Sequence, residues 1–147
     1  MSITLREITM EDFRECLRLN VAEDQKGFVA SNMYSLAEAK ADGVSNPLAI
    51  YAGEQMVGFI MFDFAPKENR GYISRLMVDA RFQGNGYGRE AMSEAIDRLK
   101  REPGIREIQT SFHPDNAVAD ALYASLGFAR TGEVVDGETV VRLNLAD

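Results

Sequence analysis

The chain of 147 residues has one cysteine, one histidine, four prolines and no tryptophan. Cys16 has no partner for an internal disulfide, and one cysteine with one histidine builds no Cys/His ligand cluster. Structural zinc, iron–sulfur clusters and disulfide-stapled scaffolds are thereby excluded, and no metal is expected. Basic residues are scarce as well, 16 against 23 acidic, for a formal charge of −7. Sequence-independent binding to a phosphate backbone needs the opposite surface, so nucleic acid is not an expected partner. Long apolar runs are missing too: the longest, such as residues 56–62, fall far below the ~20 residues of a membrane helix. Arg6, Glu7, Glu11, Asp12, Arg14, Glu15 and Arg18 interrupt any apolar core a signal peptide would need. These shortages predict a cytoplasmic protein without a membrane partner and leave a small cationic partner open.

Charge is evenly spread, and no linker, repeat or low-complexity run divides the chain, so residues 1–147 are expected to form one domain. At this length folding buries roughly two-thirds of the chain's surface, enough for a core without staples. Alternation over residues 3–8 predicts an edge strand. Thr9 and Asp12 form a T-x-x-D box before a short helix carrying Phe13, Cys16 and Leu17, and Ser35 with Glu38 forms a second box before residues 37–41. After the Asn46-Pro47 break, residues 48–52 and 56–64 read as a hairpin about Gly53-Glu54. A strand over 72–78 leads into a glycine-rich segment and a helix over about 89–101. Met92, Ala95, Ile96 and Leu99 share one face of that helix. Pro103-Gly104 ends it, residues 105–112 form a strand, and a helix from Pro114 or Asp115 to 126 is closed by Gly127. Residues 128–135 and 139–145 make a last hairpin about Asp136-Gly137. The order β-α-α-β-β-β-α-β-α-β-β predicts an α/β fold: a mixed central sheet of about seven strands flanked by about four helices on both faces.

Chemistry concentrates between the strand at 72–78 and the helix that follows. Gly84, Gly86 and Gly88 can adopt positive φ and let backbone N–H groups converge on a phosphate. The helix N-terminus adds its dipole, and Arg81 and Arg89 can pair with further phosphate oxygens. The segment lacks the G-x-G-x-x-G of a dinucleotide fold and the G-K-[ST] of a P-loop. Residues alone therefore stop at a pyrophosphate cradle.

Gln83-Gly84-Asn85-Gly86-Tyr87-Gly88 resembles the Q/R-x-x-G-x-G/A acetyl-CoA loop of the GNAT superfamily of N-acetyltransferases. Leu76-Met77-Val78 sits where that family has its pantetheine-binding strand, and Asn116-x-x-Ala119-x-x-Leu122-Tyr123-x-x-x-Gly127-Phe128 is similar to its second signature. The resemblance implies a GNAT-like fold whose fourth and fifth strands splay apart around acetyl-CoA. It implies that Met77 and Val78 backbone groups bond the pantetheine, that Gln83 to Arg89 surround the pyrophosphate, and that Asn116 bonds the cofactor arm. Tyr123 is then the proton donor to the departing CoA thiolate.

A general base is harder to place, because Tyr72-Ile73-Ser74-Arg75 on the strand before the loop carries no carboxylate. Water ordered by Tyr72 or Ser74 is one path for the amine proton, and His113 is an alternative. Cys16, remote in sequence from both motifs, argues for direct transfer without a covalent intermediate. Residues 25–39 resemble bacterial spermine/spermidine acetyltransferases, which implies a polyamine acceptor. Seven acids against four bases over residues 10–43 suit that cation. Phe28 and Tyr34 add aromatic faces. Glu23 and Asp24 are the expected anchors, whereas Glu11, Asp12 and Glu38 are read as complementing helix N-termini. A protein amine, an aminoglycoside or a CoA-binding module without catalysis are the alternatives. The resemblance also implies a homodimer, with residues 139–145 as the pairing edge.

Overall fold

The structure is a computed structural model and describes residues 2–145. Seven strands, β1 (Ile3–Glu7), β2 (Asn46–Ala52), β3 (Gln55–Ala65), β4 (Arg70–Val78), β5 (Glu107–Phe112), β6 (Ala129–Val135) and β7 (Glu138–Asn144), form one sheet. The helices are α1 (Phe13–Arg18), α2 (Asn32–Asp42), α3 (Tyr87–Lys100) and α4 (Ala117–Ser125). Strand order is β1-β2-β3-β4-β5-β7-β6, and β4–β5 is the parallel pair among antiparallel neighbours. The expected mixed sheet with helices on both faces is what forms.

Two cores follow from the period-2 geometry of the central strands. Ile50, Ile60, Phe62 and Ile73 pack with Met92, Ala95, Ile96 and Leu99 of α3 and with Tyr123 of α4. Ala49, Tyr51, Phe59 and Met61 point to the other face and meet Cys16 and Leu19 of the α1 segment and Ala39 of α2. With both faces covered, β2 and β3 read as nearly unbroken apolar runs. Pro47 is tolerated in β2 because β1 pairs only as far as Leu48.

Several local expectations change. Helix α2 begins a turn earlier than the Ser35–Glu38 box implied: Ser31 is its N-cap, accepting from the Tyr34 N–H at 3.1 Å. Ser35 lies inside the helix and donates to the Ser31 carbonyl at 3.0 Å. Thr9–Asp12 makes half of its box, with Asp12 Oδ1 accepting from the Thr9 N–H at 2.7 Å. The other Asp12 oxygen accepts from Tyr51 Oη at 2.9 Å, tying α1 to β2. Helix α3 starts at Tyr87, so Gly88 lies in its first turn, and only Gly84 (φ 85°) and Gly86 (φ 82°) of the three glycines take positive φ.

The features that shape the site are irregularities of β3 and β4. Met61 pairs with Arg75 and Phe62 with Ile73, leaving Ser74 as an extra residue in β4. Such a bulge bends its strand. The parallel pairing with β5 ends right there, at Ile73 with Thr110, so β4 runs on to Val78 without a partner on that side. Buried Thr110 donates its hydroxyl to the Ile73 carbonyl at 2.8 Å, closing the fork. On the other side of β4, an added Cβ on Gly58 would lie 2.4 Å from the Met77 carbonyl oxygen. Glycine there lets β3 and β4 approach.

The C-terminal hairpin turns at Asp136 (φ 51°) and Gly137 (φ 79°), the positive-φ pair that a two-residue turn demands. Its second strand inserts between β5 and β6. The homodimer edge expected at residues 139–145 is therefore inside the sheet, and β6 forms the outer edge.

Candidate active site

The fork between β4 and β5 opens into a cleft of about 1030 Å³. One end is the glycine turn: Gln83, Gly84, Gly86, Tyr87, Gly88 and Arg89 line it. Nothing lies within 4 Å of a Cβ added to Gly84 or Gly86, so the concave side of the turn is open. The N–H groups of Tyr87, Gly88 and Arg89 begin α3 and have no preceding helical carbonyl to bond. Free N–H groups at a helix N-terminus suit an anion. Leu76, Met77 and Val78 continue the wall along the unpaired side of β4, and Asn116, Ala119, Leu122 and Tyr123 of the α4 segment face them. An extended ligand with phosphate at one end fits this trough.

Side chains in the loop do different work from that expected. Gln83 Nε2 donates to the Val78 carbonyl at 2.9 Å and to Gln25 Oε1 at 2.8 Å, bracing the glycine turn against the segment after α1. Asn85, expected at the cofactor, turns its amide to the Phe82 carbonyl at 2.9 Å and is not among the lining residues. Arg81 also stands outside the cleft, bonding Asp79 Oδ1 at 2.8 Å and stacking on Phe82. Arg89 lines the cleft and donates to Ser125 Oγ. Asn116 spends its Oδ1 capping α4, accepting from the Ala119 N–H at 3.2 Å, which leaves its NH₂ as the group available to a ligand.

Asp79 fixes the loop from beneath. Its buried carboxylate accepts from the N–H groups of Asn20 and Arg81, both at 2.9 Å, and from the Arg81 side chain. Burial alone would raise its pKa, but these bonds outweigh that effect and hold it below the usual carboxylate value.

Tyr123 lies at the fork, 6% exposed, between Phe112 and Phe128. Burial pushes its phenol up to about 12; a hydrogen bond with Thr110 works the other way, and Glu138 and Tyr72 reinforce the rise. Cys16 is fully buried in α1, with its thiol pushed up to about 11 by burial and by the Asp12 carboxylate. It is not among the residues lining the cleft.

The rest of the cleft wall is built by residues far apart in the chain. Phe28, Tyr34, Glu38, Tyr72, Ser74 and Arg75 line it from one side, and Ser111, Asp136 and Glu138 from the other. Glu38 is mid-helix and pairs with Arg75 at 2.8 Å, so its expected role at a helix N-terminus is corrected. Glu23 and Asp24, expected at the acceptor, lie in an exposed 3₁₀ turn outside the lining, where Glu23 pairs with Lys26 at 3.0 Å. His113 is outside as well: Nδ1 accepts from the Asp115 N–H at 3.1 Å and the ring leans on Phe28. Ser74 donates to the Met61 carbonyl at 3.3 Å, across the bulge. Tyr72 Oη is 2.9 Å from Ser111 Oγ, which donates to Glu138 Oε1 at 2.7 Å. Sequence reasoning missed Ser111 and Glu138. The alternation of β5 and the start of β7 were readable, but not that β7 inserts beside β5.

A sheet forked over a glycine turn at a helix N-terminus, with a buried phenol at the fork, is the framework of a group-transfer enzyme. The chain belongs to the acetyltransferase (GNAT) family, whose model matches residues 4–128, and is an N-acetyltransferase. It is 29% identical over 148 residues to a spermine/spermidine N(1)-acetyltransferase of Bacillus subtilis, covering 96% of this chain and 97% of that one. The fold is similar to that of the PaiA N-acetyltransferase of Thermoplasma acidophilum in complex with coenzyme A, with TM-score 0.72, 20% identity, and 98% and 99% of the two chains covered. It is also similar to spermidine N-acetyltransferase of Vibrio cholerae in complex with CoA and spermine, with TM-score 0.75, 18% identity, and 96% and 93% covered. No helix among the described residues is long and apolar enough to cross a membrane, and no cluster of metal-ligating side chains occurs among them.

Proposed function

We propose that the chain, acting as one catalytic domain, transfers acetyl from acetyl-CoA directly to a primary amine of a small polyamine such as spermidine or spermine. One observation carries the acceptor class: the acceptor end of the cleft joins Asp136, Glu138 and the Arg75-paired Glu38, a net acidic set, to the aromatic faces of Phe28, Tyr34 and Tyr72. Ammonium groups are held by that combination of charge and cation–π contact. The full-length likeness to a spermine/spermidine acetyltransferase supports the same acceptor.

The turn at Gly84–Gly88 and the first N–H groups of α3 hold the pyrophosphate, with Arg89 beside them. The free side of Met77 and Val78 takes the pantetheine, with Gln83 bracing Val78 and the Asn116 amide reaching the same arm. Tyr123 faces the thioester. Its phenol, pushed up to about 12 by burial, stays protonated at neutral pH and keeps its hydrogen for the sulfur. Tyr123 acts by donating a hydrogen bond to the sulfur as charge develops, worth about 1.5–3 kcal/mol for a charged partner.

The test is a panel of acceptors, comprising spermidine, spermine, a peptide N-terminus, a lysine peptide and an aminoglycoside, supplied with acetyl-CoA while free thiol is followed. Polyamines are expected to give the highest kcat/KM. A peptide or aminoglycoside in first place would overturn the acceptor, and tight CoA binding without turnover would leave a binding module.

A further inference from the structure

The chain Tyr72–Ser111–Glu138 has a direction. Ser111 has a single hydroxyl hydrogen, and it goes to Glu138 Oε1 at 2.7 Å. The 2.9 Å contact between Tyr72 Oη and Ser111 Oγ must then be donated by Tyr72. Both hydroxyl hydrogens therefore point toward the carboxylate, and the lone pairs of Tyr72 Oη are left to accept from whatever stands in the cleft. All three residues line that cleft, and they come from β4, β5 and β7.

We propose that Tyr72, Ser111 and Glu138 form the proton relay of the transfer, taking the proton of the acceptor ammonium and delivering it to the Glu138 carboxylate. This rests on the acetyl-transfer reading above. The ammonium N–H bonds Tyr72 Oη and passes its proton there while Tyr72 passes its own to Ser111 Oγ, and Ser111 passes its own to Glu138. The two hydroxyls end as they began, the carboxylate becomes a carboxylic acid, and the nitrogen recovers its lone pair. The free amine then attacks the acetyl carbonyl: the C–N bond forms, the C–S bond breaks, and the second nitrogen proton leaves with the CoA thiolate. Glu138, half-buried at the cleft mouth, returns its proton to solvent. Tyr72 touches the substrate and is the catalytic member; Ser111 and Glu138 act through it.

Position supports the assignment. Tyr72, Ser111 and Glu138 line the same cleft as Tyr123, so the relay opens into the space where the leaving sulfur is placed. The charged groups sharing the cleft are the Glu38–Arg75 pair, Asp136 from the turn before β7, and Arg89 at the far end. The carboxylate comes from the far side of the fork, which explains why none is needed on β4.

The experiment compares the parent with Glu138→Gln, Ser111→Ala, Tyr72→Phe and Glu138→Gln/Ser111→Ala. It uses the best amine of the panel and measures kcat and KM from about pH 7 to pH 10. The relay predicts a loss of kcat of roughly 10²-fold at pH 7 in each single variant, shrinking as rising pH supplies free amine. The double variant should lose no more than either single, because one path is cut twice. Melting temperature and coenzyme A affinity should stay at parental values, and Glu138→Asp should restore part of kcat. If Ser111→Ala matches the parent while Glu138→Gln raises only the amine KM, Glu138 holds the ammonium without taking its proton and the relay is wrong. If a single variant loses its melting transition or coenzyme A affinity, the chain is structural and the relay is wrong. If the parent acetylates no amine at all, the acceptor reading falls and the relay with it, an outcome distinct from a parent that works and variants that match it.

Discussion

At the scale of single residues, two buried polar groups separate catalysis from stability. Tyr123 sits between the rings of Phe112 and Phe128, so Tyr123→Phe removes one oxygen and leaves the ring packing. A hydrogen bond to a charged atom worth about 1.5–3 kcal/mol corresponds to a roughly 10- to 100-fold drop in kcat. Thermal unfolding should be little changed, and an unchanged kcat would remove Tyr123 from the reaction. Asp79 is the converse. Asp79→Ala strands the N–H groups of Asn20 and Arg81 and removes one of the ties between the glycine turn and the segment after α1. A loss of about 2 kcal/mol at neutral pH is expected from denaturant unfolding. Because the carboxyl pKa is depressed in the folded state, its contribution is present above the unfolded value of about 3.9 and fades as pH falls through the folded value. The gap between parent and variant should therefore close in acid. Single residues were also where sequence reading was least complete. Tyr72 and Ser74 were expected at the acceptor and line the cleft, but Ser111 and Glu138 lie 39 and 66 positions from Tyr72 and carry no local motif.

At the scale of elements, two glycines are required for different reasons. Gly86 takes φ 82° with open space around a prospective Cβ, so Gly86→Ala meets only the backbone penalty of about 1–2 kcal/mol. Gly58 has ordinary φ, but its Cβ would lie 2.4 Å from the Met77 carbonyl, so Gly58→Ala must push β4 away from β3. An overpacking loss of about 1–3 kcal/mol is expected, together with a raised KM for acetyl-CoA, since Met77 lies on the wall of the cleft. Asparagine, which tolerates the left-handed region, should partly rescue stability at position 86 and not at position 58, as read by denaturant midpoints. Elements with a clear period were legible: the hairpin of β2 and β3, α3 with its apolar face, and the terminal hairpin all lie within a few residues of expectation. The bulge at Ser74 was not legible, because an extra residue in a strand is defined by what it faces. The position of β7 beside β5 was hidden for the same reason: order within a sheet depends on partners distant in the chain. Helix α2 was misplaced by one turn because Ser31 and Ser35 both offer a capping hydroxyl, and local sequence does not rank them.

For the whole molecule, the charge of −7 sets two opposite tasks in one cleft. The proposed donor is an anion entering an acidic protein, and it is met locally by N–H groups of the glycine turn and by Arg89. The proposed acceptor is a polycation, met by Glu38, Asp136 and Glu138 at the other end and by the net field beyond. A cradle of backbone dipoles acts over a few ångström, whereas the net field acts over the Debye length, about 30 Å at 0.01 M salt and about 8 Å at 0.15 M. Raising salt across that range should weaken capture of the polycation and relieve repulsion of the anion. Steady-state kinetics should show the spermidine KM rising several-fold, while the acetyl-CoA KM stays level or falls. A monoamine acceptor of the same chain length, with one charge to steer, should show a smaller rise. Two KM values that rise together would mean that the acidic field does not select the acceptor, and that the three cleft carboxylates serve only the local chemistry of the fork.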